Sequence, residues 1–271
     1  VLVFWAIIVV IGPSISPYHE AEFLEESLFI VPGSDEKYPD TDFQPPSRIV
    51  LLGSDYMGRD TLSRILFGAR TTIGISFIAT ILAYLIGVTL GIAAAVGYRF
   101  QYRGFTIIEL DTVLSRLNDA LLSIPSIMLG LVMIAALGST IPLLIFLTGI
   151  IYAASVFRIA RSLGQEVMVS DFVEAARVRG EGLWWIITRE ILPNVAMPLA
   201  TDFGLRFVWV ILFISALSFL GLGVQPPMSD WGSMVKENLP GLIYGSVAPL
   251  IPSLAIATLT ISVNMIVDDI S

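Results

Sequence analysis

Long apolar stretches alternate with shorter polar stretches along most of the chain. A helix needs about 20 apolar residues to cross the hydrocarbon part of a bilayer, and most of the apolar stretches approach or exceed that length. The pattern therefore predicts an all-α, polytopic membrane protein with six transmembrane helices. The six stretches are residues 1–12, 72–98, 120–138, 141–157, 195–223 and 247–267.

The first stretch differs from the others because it is short. Residues 1–12 are apolar up to Gly12-Pro13, which we expect to stop the helix. We interpret them as the outer part of a first transmembrane helix that is truncated in this sequence. A cleaved signal peptide is the alternative, although such a peptide begins with a charged region.

The rest of the chain divides into a polar part and an apolar part. Residues 13–71 are rich in Pro and aromatic side chains and are predicted to form an extracytoplasmic loop with an interfacial helix. Residues 72–271 are predicted to form a five-helix core that contains one long polar loop at 158–194. Within this core, Gly87 and Gly91 have the GxxxG spacing that lets helices pack closely.

The distribution of charge predicts which side of the membrane each loop faces. Residues 13–71 hold ten acidic and five basic side chains, whereas 98–118 and 158–190 together hold eight Arg and seven acidic side chains. Short loops that are rich in Arg lie in the cytoplasm. We therefore expect 98–118 and 158–190 to be cytoplasmic, 13–71 and 224–246 to lie outside, and both termini to be cytoplasmic.

Composition excludes several classes of protein. With 55% hydrophobic residues, 14% charged residues and a mean hydropathy of +0.83, the chain is not a soluble domain. It has no Cys and a single His, His19, so it offers no thiolate or histidine metal site. Neither of its lysines, Lys37 and Lys236, follows a glycine loop, so the sequence has no P-loop for ATP. It also lacks the HExxH and GxSxG motifs of hydrolases.

One polar, Arg-bearing stretch, residues 171–194, interrupts the apolar core, and we call it the coupling segment. Its residue order resembles the EAA loop of ABC importer permeases, the cytoplasmic segment that docks onto an ATPase subunit. One position departs from that pattern, because Glu190 stands where an apolar residue is usual. The resemblance implies that the residues that carry it also couple to the ATPase. These residues are Glu174, Ala175, Ala176, Gly180, Leu192 and Pro193.

The coupling segment is predicted to form a helix, a sharp turn and a second helix. The first helix is expected over 172–179, and the turn at Gly180 and Gly182, where φ can be positive. The second helix is expected over 183–191, ending against Pro193.

Small and acidic side chains in the coupling segment suit a docking surface. Ala175 and Ala176 would permit close approach, and Glu174 would offer its carboxylate to an Arg of the partner. The alternative is an ordinary connector that Arg side chains hold to anionic lipid.

A second resemblance lies in the polar part of the chain. Residues 52–64 read Leu-Gly-Ser-Asp-Tyr-Met-Gly-Arg-Asp-Thr-Leu-Ser-Arg and are similar to a signature of permeases that import peptides and related solutes. Asp60 is placed to accept hydrogen bonds from the free amides at a helix start. Arg59, Arg64 and Arg70 are expected to hold this run at a membrane interface.

A third resemblance covers residues 217–232, where Leu-Ser-Phe-Leu-Gly-Leu-Gly-Val-Gln-Pro-Pro is followed by Asp-Trp-Gly. The segment is similar to a block of the dipeptide and oligopeptide permeases, whose outer face receives a solute-binding protein. The aromatic ring of Trp231 also suits the membrane interface. The resemblance implies a place in an outer loop that faces the binding protein for Gln225, Pro226, Pro227 and Trp231.

Two charged residues within the fifth apolar stretch are candidates for a solute path. Asp202 and Arg206 are four residues apart, so they could pair on one face of a helix. They could instead lie near the cytoplasmic end and extend their charges to water. The family often carries a Glu deeper in this helix, and here that position is Ile214. The loss of an acid and the presence of Arg206 favour an anionic or neutral solute.

Together the resemblances imply a permease subunit of an ATP-driven importer, of the branch that carries peptides, nickel, opines and some oligosaccharides. They imply as partners a second, different permease, two ATPase subunits that hold ATP and magnesium, and an extracytoplasmic solute-binding protein. Membrane lipid is the remaining partner, and no nucleic acid is expected. The chain itself would bind no cofactor or metal, catalyse no reaction, and lie in a bacterial or archaeal cytoplasmic membrane as a multi-pass protein.

Two alternative functions would require different residues in the predicted spans. An ATP-independent channel or ion-coupled transporter would place coupling charges near the middle of the membrane, and apart from Asp202 and Arg206 the spans carry almost none. An intramembrane enzyme would need a nucleophile or paired carboxylates within the spans. Asp268 and Asp269 are adjacent in sequence rather than facing each other.

Overall fold

A computed structural model describes residues 1–24, 42–97 and 107–270, and they form mainly helices. The predicted all-α fold class is confirmed. The helices are α1 Leu2–Ile15, α2 Thr61–Gly97, α3 Ile107–Leu122, α4 Ser126–Leu137, α5 Ile141–Met168, α6 Asp171–Val178, α7 Leu183–Trp185, α8 Leu192–Phe219, α9 Trp231–Asn238 and α10 Leu250–Ile270, with a π turn at Ile186–Ile191 and a 3₁₀ turn at Leu239–Tyr244.

Four helical stretches in the described part of the chain are long and apolar enough to cross a membrane. They are α2, α5, the continuous stretch Leu183–Phe219 and α10. A fifth candidate is the pair α3 and α4, and α1 is a shorter apolar helix of 14 residues. The number of spans therefore stays a prediction.

The prediction of one continuous helix over residues 120–138 is wrong. The chain bends by 85° between α3 and α4, and Pro125 lies in the short break. Proline has no amide hydrogen for the helical ladder, and its ring collides with the carbonyl one turn earlier. The amphipathic helix α3 before the break and the apolar helix α4 after it thus run in different directions.

Several helix ends also differ from the predictions. Helix α2 begins at Thr61 because the Asp60 carboxylate accepts a hydrogen bond from the amide of Ser63 at 2.8 Å, which confirms the role predicted for Asp60. Helix α1 continues past Gly12-Pro13 to Ile15, although Pro13 cannot donate a hydrogen bond to the carbonyl one turn earlier, and the helix ends two residues after it. Part of the predicted 13–71 loop and of the basic run at 98–118 lies outside the described residues.

Helix α5 was expected to end at residue 157, yet it continues to Met168. Arg161 does not extend its charge to water alone, because it forms a two-point ion pair with Asp111 of α3. The Nε and Nη2 atoms of Arg161 donate to the two carboxylate oxygens of Asp111 at 2.5 and 2.7 Å. This ion pair joins α5 to α3 close to the point where α5 was expected to end.

The chain forms two compact units. The first contains residues 1–77, 133–144 and 211–265, and the second contains 78–132, 145–210 and 266–271. In the second unit the predicted close contact at the GxxxG glycines is confirmed. A Cβ atom on Gly87 would lie 2.6 Å from the Val156 side chain, and one on Gly91 would lie 2.7 Å from the Phe157 carbonyl oxygen.

We expect Gly91→Ala to lower the thermal stability of the purified protein. Its new methyl group would press on backbone atoms of α5, and such overpacking costs about 1–3 kcal/mol. Gly74→Ala in the same helix is the control, because no atom lies within 4 Å of the new Cβ and alanine favours a helix. Unfolding in detergent, followed by circular dichroism, would compare them. Equal melting temperatures for the two variants would contradict the close packing.

Candidate functional site

The coupling segment is attached to the second unit by a continuous apolar face. Val173 and Ala176 of α6, with Ile186 and Ile191 of the π turn, are fully buried. They form one cluster with side chains of α2, α5 and α8, so a force on α6 acts directly on three long helices. On α2, α5 and α8 the cluster members are Ile92, Val96, Ala160, Met168, Val195 and Leu199.

The opposite face of α6 is open. Glu174 is exposed, and its Oε2 accepts a hydrogen bond from Arg177 at 3.1 Å. Ala175 is exposed, but Ala176 is not part of this surface, because it is fully buried. Its small side chain lets α6 lie close to its own core rather than to a partner.

The turn after α6 has the predicted geometry at one glycine. Gly180 has φ of +84°, and no atom lies within 4 Å of the position of a Cβ. This left-handed conformation favours glycine. Gly182 was expected to be equivalent, but its φ is −74°, which any residue adopts. Gly180 alone therefore requires glycine at this turn.

The second helix does not end at Pro193. A single turn at α7 passes through the π turn Ile186–Ile191 directly into α8, with Leu192 half-buried and Pro193 exposed. Pro193 directly follows the wider π turn, which accommodates its ring within the continuous stretch Leu183–Phe219. The second half of the coupling segment is thus continuous with the long helical stretch that ends at Phe219.

Sequence reasoning missed an apolar patch beside the Gly180 turn. Val178 is 81% exposed and Trp184 is 76% exposed, on either side of that turn. Large apolar side chains grouped on a polar segment mark an interaction surface. For Val178 the signal was present in the sequence, because this residue stands between Arg177 and Arg179. The apolar patch consists of Phe172, Val178, Leu183 and Trp184.

In the first unit, a ring of four charges stands where interfacial arginines were predicted. Arg59 and Arg64 are buried, so their prediction as anchors at the membrane interface is wrong, whereas Arg70 is exposed. Asp55 accepts from Arg59 at 2.8 Å and from Arg64 at 2.5 Å. Glu237 of α9 accepts from the same two arginines at 3.2 and 2.9 Å. We call these four residues the charge ring.

The charge ring ties the segment before α2 to α9. Three of its members precede or begin α2, and Glu237 belongs to α9. Beside the ring, Asn238 accepts a hydrogen bond from the Tyr56 amide, 182 residues away in the chain. The spacing within residues 55–64 suggested a helix start, but nothing in the sequence pointed to Glu237 as the second acid. The signature thus encodes a fixed loop rather than a lipid contact.

Trp231 was expected at the membrane interface, and this prediction is wrong. The side chain is fully buried, its Nε1 donates to the Ile65 carbonyl at 3.1 Å, and its ring packs edge-on against Trp5 at 4.8 Å between centroids. Gly68 provides the room, because a Cβ there would lie 3.0 Å from the indole. Trp231 therefore holds the first unit together and offers no surface to a binding protein.

Asp230 fixes the start of α9 next to Trp231. Its carboxylate accepts from the Ser233 amide at 2.9 Å and from the Thr72 hydroxyl at 3.1 Å. Complete burial raises the pKa of the Asp230 carboxyl, and these hydrogen bonds oppose the rise.

The loop before Asp230 remains a candidate docking surface. Gln225, Pro226 and Pro227 are exposed. The Gln225 side-chain amide donates to the carbonyls of Gly221 and Gly223 at 3.2 and 3.0 Å, which holds the loop in one shape.

The predicted pair within the fifth apolar stretch is confirmed. Arg206 Nε lies 3.3 Å from Asp202 Oδ1 on α8, and both side chains are partly buried. Asp202 also accepts a hydrogen bond at 2.5 Å from the hydroxyl of Tyr84 on α2. Nothing in the sequence pointed to Tyr84, because it lies 118 residues away from Asp202 in the chain.

A family model for the binding-protein-dependent transport system inner membrane component matches residues 87–270. The chain belongs to this family. It is therefore a permease subunit of an ABC importer, a multi-pass component of the inner membrane, and not itself an enzyme. Membership of this family excludes the alternative function, an ATP-independent channel or ion-coupled transporter.

Named relatives of this permease agree with the family. A Brucella suis protein, named for a peptide transport system permease, is 36% identical over 83% of this chain and 73% of its own length. The glutathione transport system permease protein GsiD of Pectobacterium atrosepticum is 32% identical over 89% of this chain and 77% of its own. The dipeptide transport system permease protein DppC of Alkalihalophilus pseudofirmus is 33% identical over 86% and 74%.

A solved structure supports the permease fold. A chain of the MetNI methionine ABC transporter, in an inward-facing conformation, aligns with a TM-score of 0.51 and 16% identity. The alignment covers 77% of this permease and 96% of that chain. At this identity the likeness concerns the fold alone.

Proposed function

We propose that this permease carries peptides or closely related small solutes across the cytoplasmic membrane, powered by ATPase subunits that dock on the coupling segment. The observation that carries the proposal is the two-sided build of that segment. Its exposed side presents Glu174, the Gly180 turn and the apolar patch, while its buried side is continuous with the core of three long helices. A partner bound to the exposed side of the segment would move those helices.

The partners follow from this role. Two ATPase subunits hold ATP and magnesium, and a second, different permease completes the pathway. The coupling segment lies in the cytoplasm with both termini, and the Gln225–Pro227 loop faces an extracytoplasmic solute-binding protein. The fixed shape of that loop supports its use as a docking point.

The transport cycle then has a simple order. A loaded binding protein docks on the outer loops, ATP draws the two ATPases together, and the coupling segments follow them. The paired permeases open outward and receive the solute. Hydrolysis of ATP separates the ATPases and returns the permeases to the inward-facing state. Asp202 and Arg206 line the solute path in this scheme, since ionisable groups within a span face the interior of a bundle or a water-filled path.

The proposal is tested with the complete importer in proteoliposomes. Wild type is expected to accumulate labelled alanyl-phenylalanine only with ATP and binding protein. Glu174→Arg combined with Gly180→Val is expected to remove the co-purifying ATPases and the uptake. The charge reversal repels the partner group that Glu174 attracts, and valine is strained at φ of +84°.

Gly245→Val is the matched control for this experiment. Gly245 has φ of +73° and open space around it, like Gly180, but it lies in the loop before α10. This variant is expected to keep its ATPases. Normal ATP-driven uptake by the double variant would overturn the role of the coupling segment. Accumulation of nickel or an oligosaccharide in place of the dipeptide would overturn the solute class.

A further inference from the structure

We infer that Arg206 binds a free carboxylate of the transported solute, and that Asp202 and Tyr84 position it for this contact. The inference rests on the proposed function, since it names the group of the solute that the path selects. Its evidence is the arrangement of three side chains in the second unit.

The three side chains contact one another in series, from Tyr84 through Asp202 to Arg206, and the guanidinium of Arg206 is the open end of the series. Tyr84 donates its hydroxyl hydrogen to Asp202 Oδ2, and Asp202 in turn engages Arg206 through the Nε atom of the guanidinium. Within the described residues, the two terminal nitrogens of Arg206 donate no hydrogen bond. Arginine carries its remaining N–H donors on those nitrogens. The open end of the series is therefore a set of cationic donors.

The position of Arg206 indicates that this open end meets water or solute and not lipid. It is the fifteenth of the 28 residues of α8, which runs from 192 to 219, within a stretch apolar enough to span the membrane. Placing a charge against lipid at such a position is costly, so intramembrane charges face the bundle interior or an aqueous path. The Arg206 side chain is 21% exposed and that of Asp202 is 12% exposed, so the cation is the more accessible partner.

The chemistry of the open end selects a carboxylate. A guanidinium presents parallel N–H groups that match the two oxygens of a carboxylate. Because Asp202 occupies the Nε atom, the edge formed by the two terminal nitrogens remains for the solute. A solute ammonium group would have to reach Asp202, which already accepts from Tyr84 and Arg206. A peptide is thus held by its C-terminal carboxylate, and a solute without a carboxylate loses the contact.

The absence of cysteine from the chain allows a sharp test. Arg206→Cys introduces its first thiol, which is expected to react with water-borne thiosulfonates in the assembled importer. Uptake of alanyl-phenylalanine should fall about 10- to 100-fold, in keeping with the loss of a hydrogen bond to a charged group. Attachment of an aminoethyl group restores a cation and should recover uptake, whereas attachment of an anionic sulfonatoethyl group should not. Wild type treated with the same reagents is the control.

Two further measurements separate this role from a structural one. Tyr84→Phe is expected to raise the KM for alanyl-phenylalanine with little change in kcat, because Asp202 and Arg206 lose their fixed orientation. Arg206→Lys is expected to keep part of the uptake that Arg206→Gln loses.

Failure of the inference can be told apart from failure of the proposed function. Three results would overturn the inference: a thiol at position 206 that stays unlabelled, recovery of uptake by the anionic reagent, or normal uptake by Arg206→Gln. In each case ATP-driven uptake by wild type would still uphold the proposed function. Wild type without any ATP-driven dipeptide uptake would overturn the proposed solute class, and labelling of the thiol would then still report whether position 206 faces water.

Discussion

Arg64→Leu is expected to prevent the accumulation of stable permease in the membrane. The guanidinium of Arg64 is almost completely buried and contacts Asp55 at 2.5 Å and Glu237 at 2.9 Å. Asp55 is fully buried as well, so the variant leaves its carboxylate with Arg59 as the remaining cation of the ring. Loss of one partner from a buried ion pair costs about 3–5 kcal/mol, because the other charge stays away from water without compensation.

This cost is large compared with the whole stability of a folded protein, which is about 5–15 kcal/mol. The expected measurement is a strong fall in the amount of protein extracted from membranes and in its melting temperature in detergent. Arg64→Lys should be intermediate, because it keeps the charge but cannot reach both acids with a planar fork.

Two comparisons show whether the charge ring is the cause. Arg70→Leu removes a charge of the same type from the same helix, at an exposed position, and should change stability by no more than about 0.5 kcal/mol. Adding Glu237→Leu to Arg64→Leu should recover part of the loss, because it removes one of the acids left in excess. Equal behaviour of Arg64→Leu and Arg70→Leu would contradict the buried ring.

The charge ring also shows where sequence reasoning stops. Apolar stretches and the i, i+4 spacing of Asp202 and Arg206 are local patterns, and local patterns predicted the all-α fold and that pair correctly, though not the break at Pro125. Arg64 also stands in a local pattern, a helix start, yet its fate depends on Glu237 at the far end of the chain. An arginine near a predicted membrane end is equally compatible with lipid and with a buried acid until that acid is located.

The same limit explains Trp231 and Pro193. A tryptophan in an outer loop suits an interface by composition alone, but the space beside Gly68 and the Ile65 carbonyl draws it into the core. A proline after a short helix usually ends it, but the π turn Ile186–Ile191 carries the chain through. Both outcomes depend on tertiary packing or on a rare turn, which no residue spacing encodes.

Trp184→Asp is expected to break the contact with the ATPase without harming the fold. Trp184 is 76% exposed, so its ring is largely free of the core cluster, and a surface substitution there changes stability by about 0.5 kcal/mol or less. In an assembled importer the same ring would be buried beside Val178 and the Gly180 turn. A central tryptophan of an interface contributes about 2–4 kcal/mol, so affinity for the ATPase should fall about 30- to 1,000-fold.

Ile243→Asp is the matched control for this prediction, since Ile243 is 86% exposed but belongs to the 3₁₀ turn Leu239–Tyr244, away from the coupling segment in sequence. Binding of the ATPase subunits to detergent-solubilised permease, measured by light scattering or interferometry, should be unchanged for this variant and strongly weakened for Trp184→Asp. Melting temperatures near wild type for both would show that the loss arises at the docking surface. If both variants bound the ATPase equally well, the apolar patch would face lipid or solvent and the coupling contact would reside in Glu174 and the Gly180 turn alone.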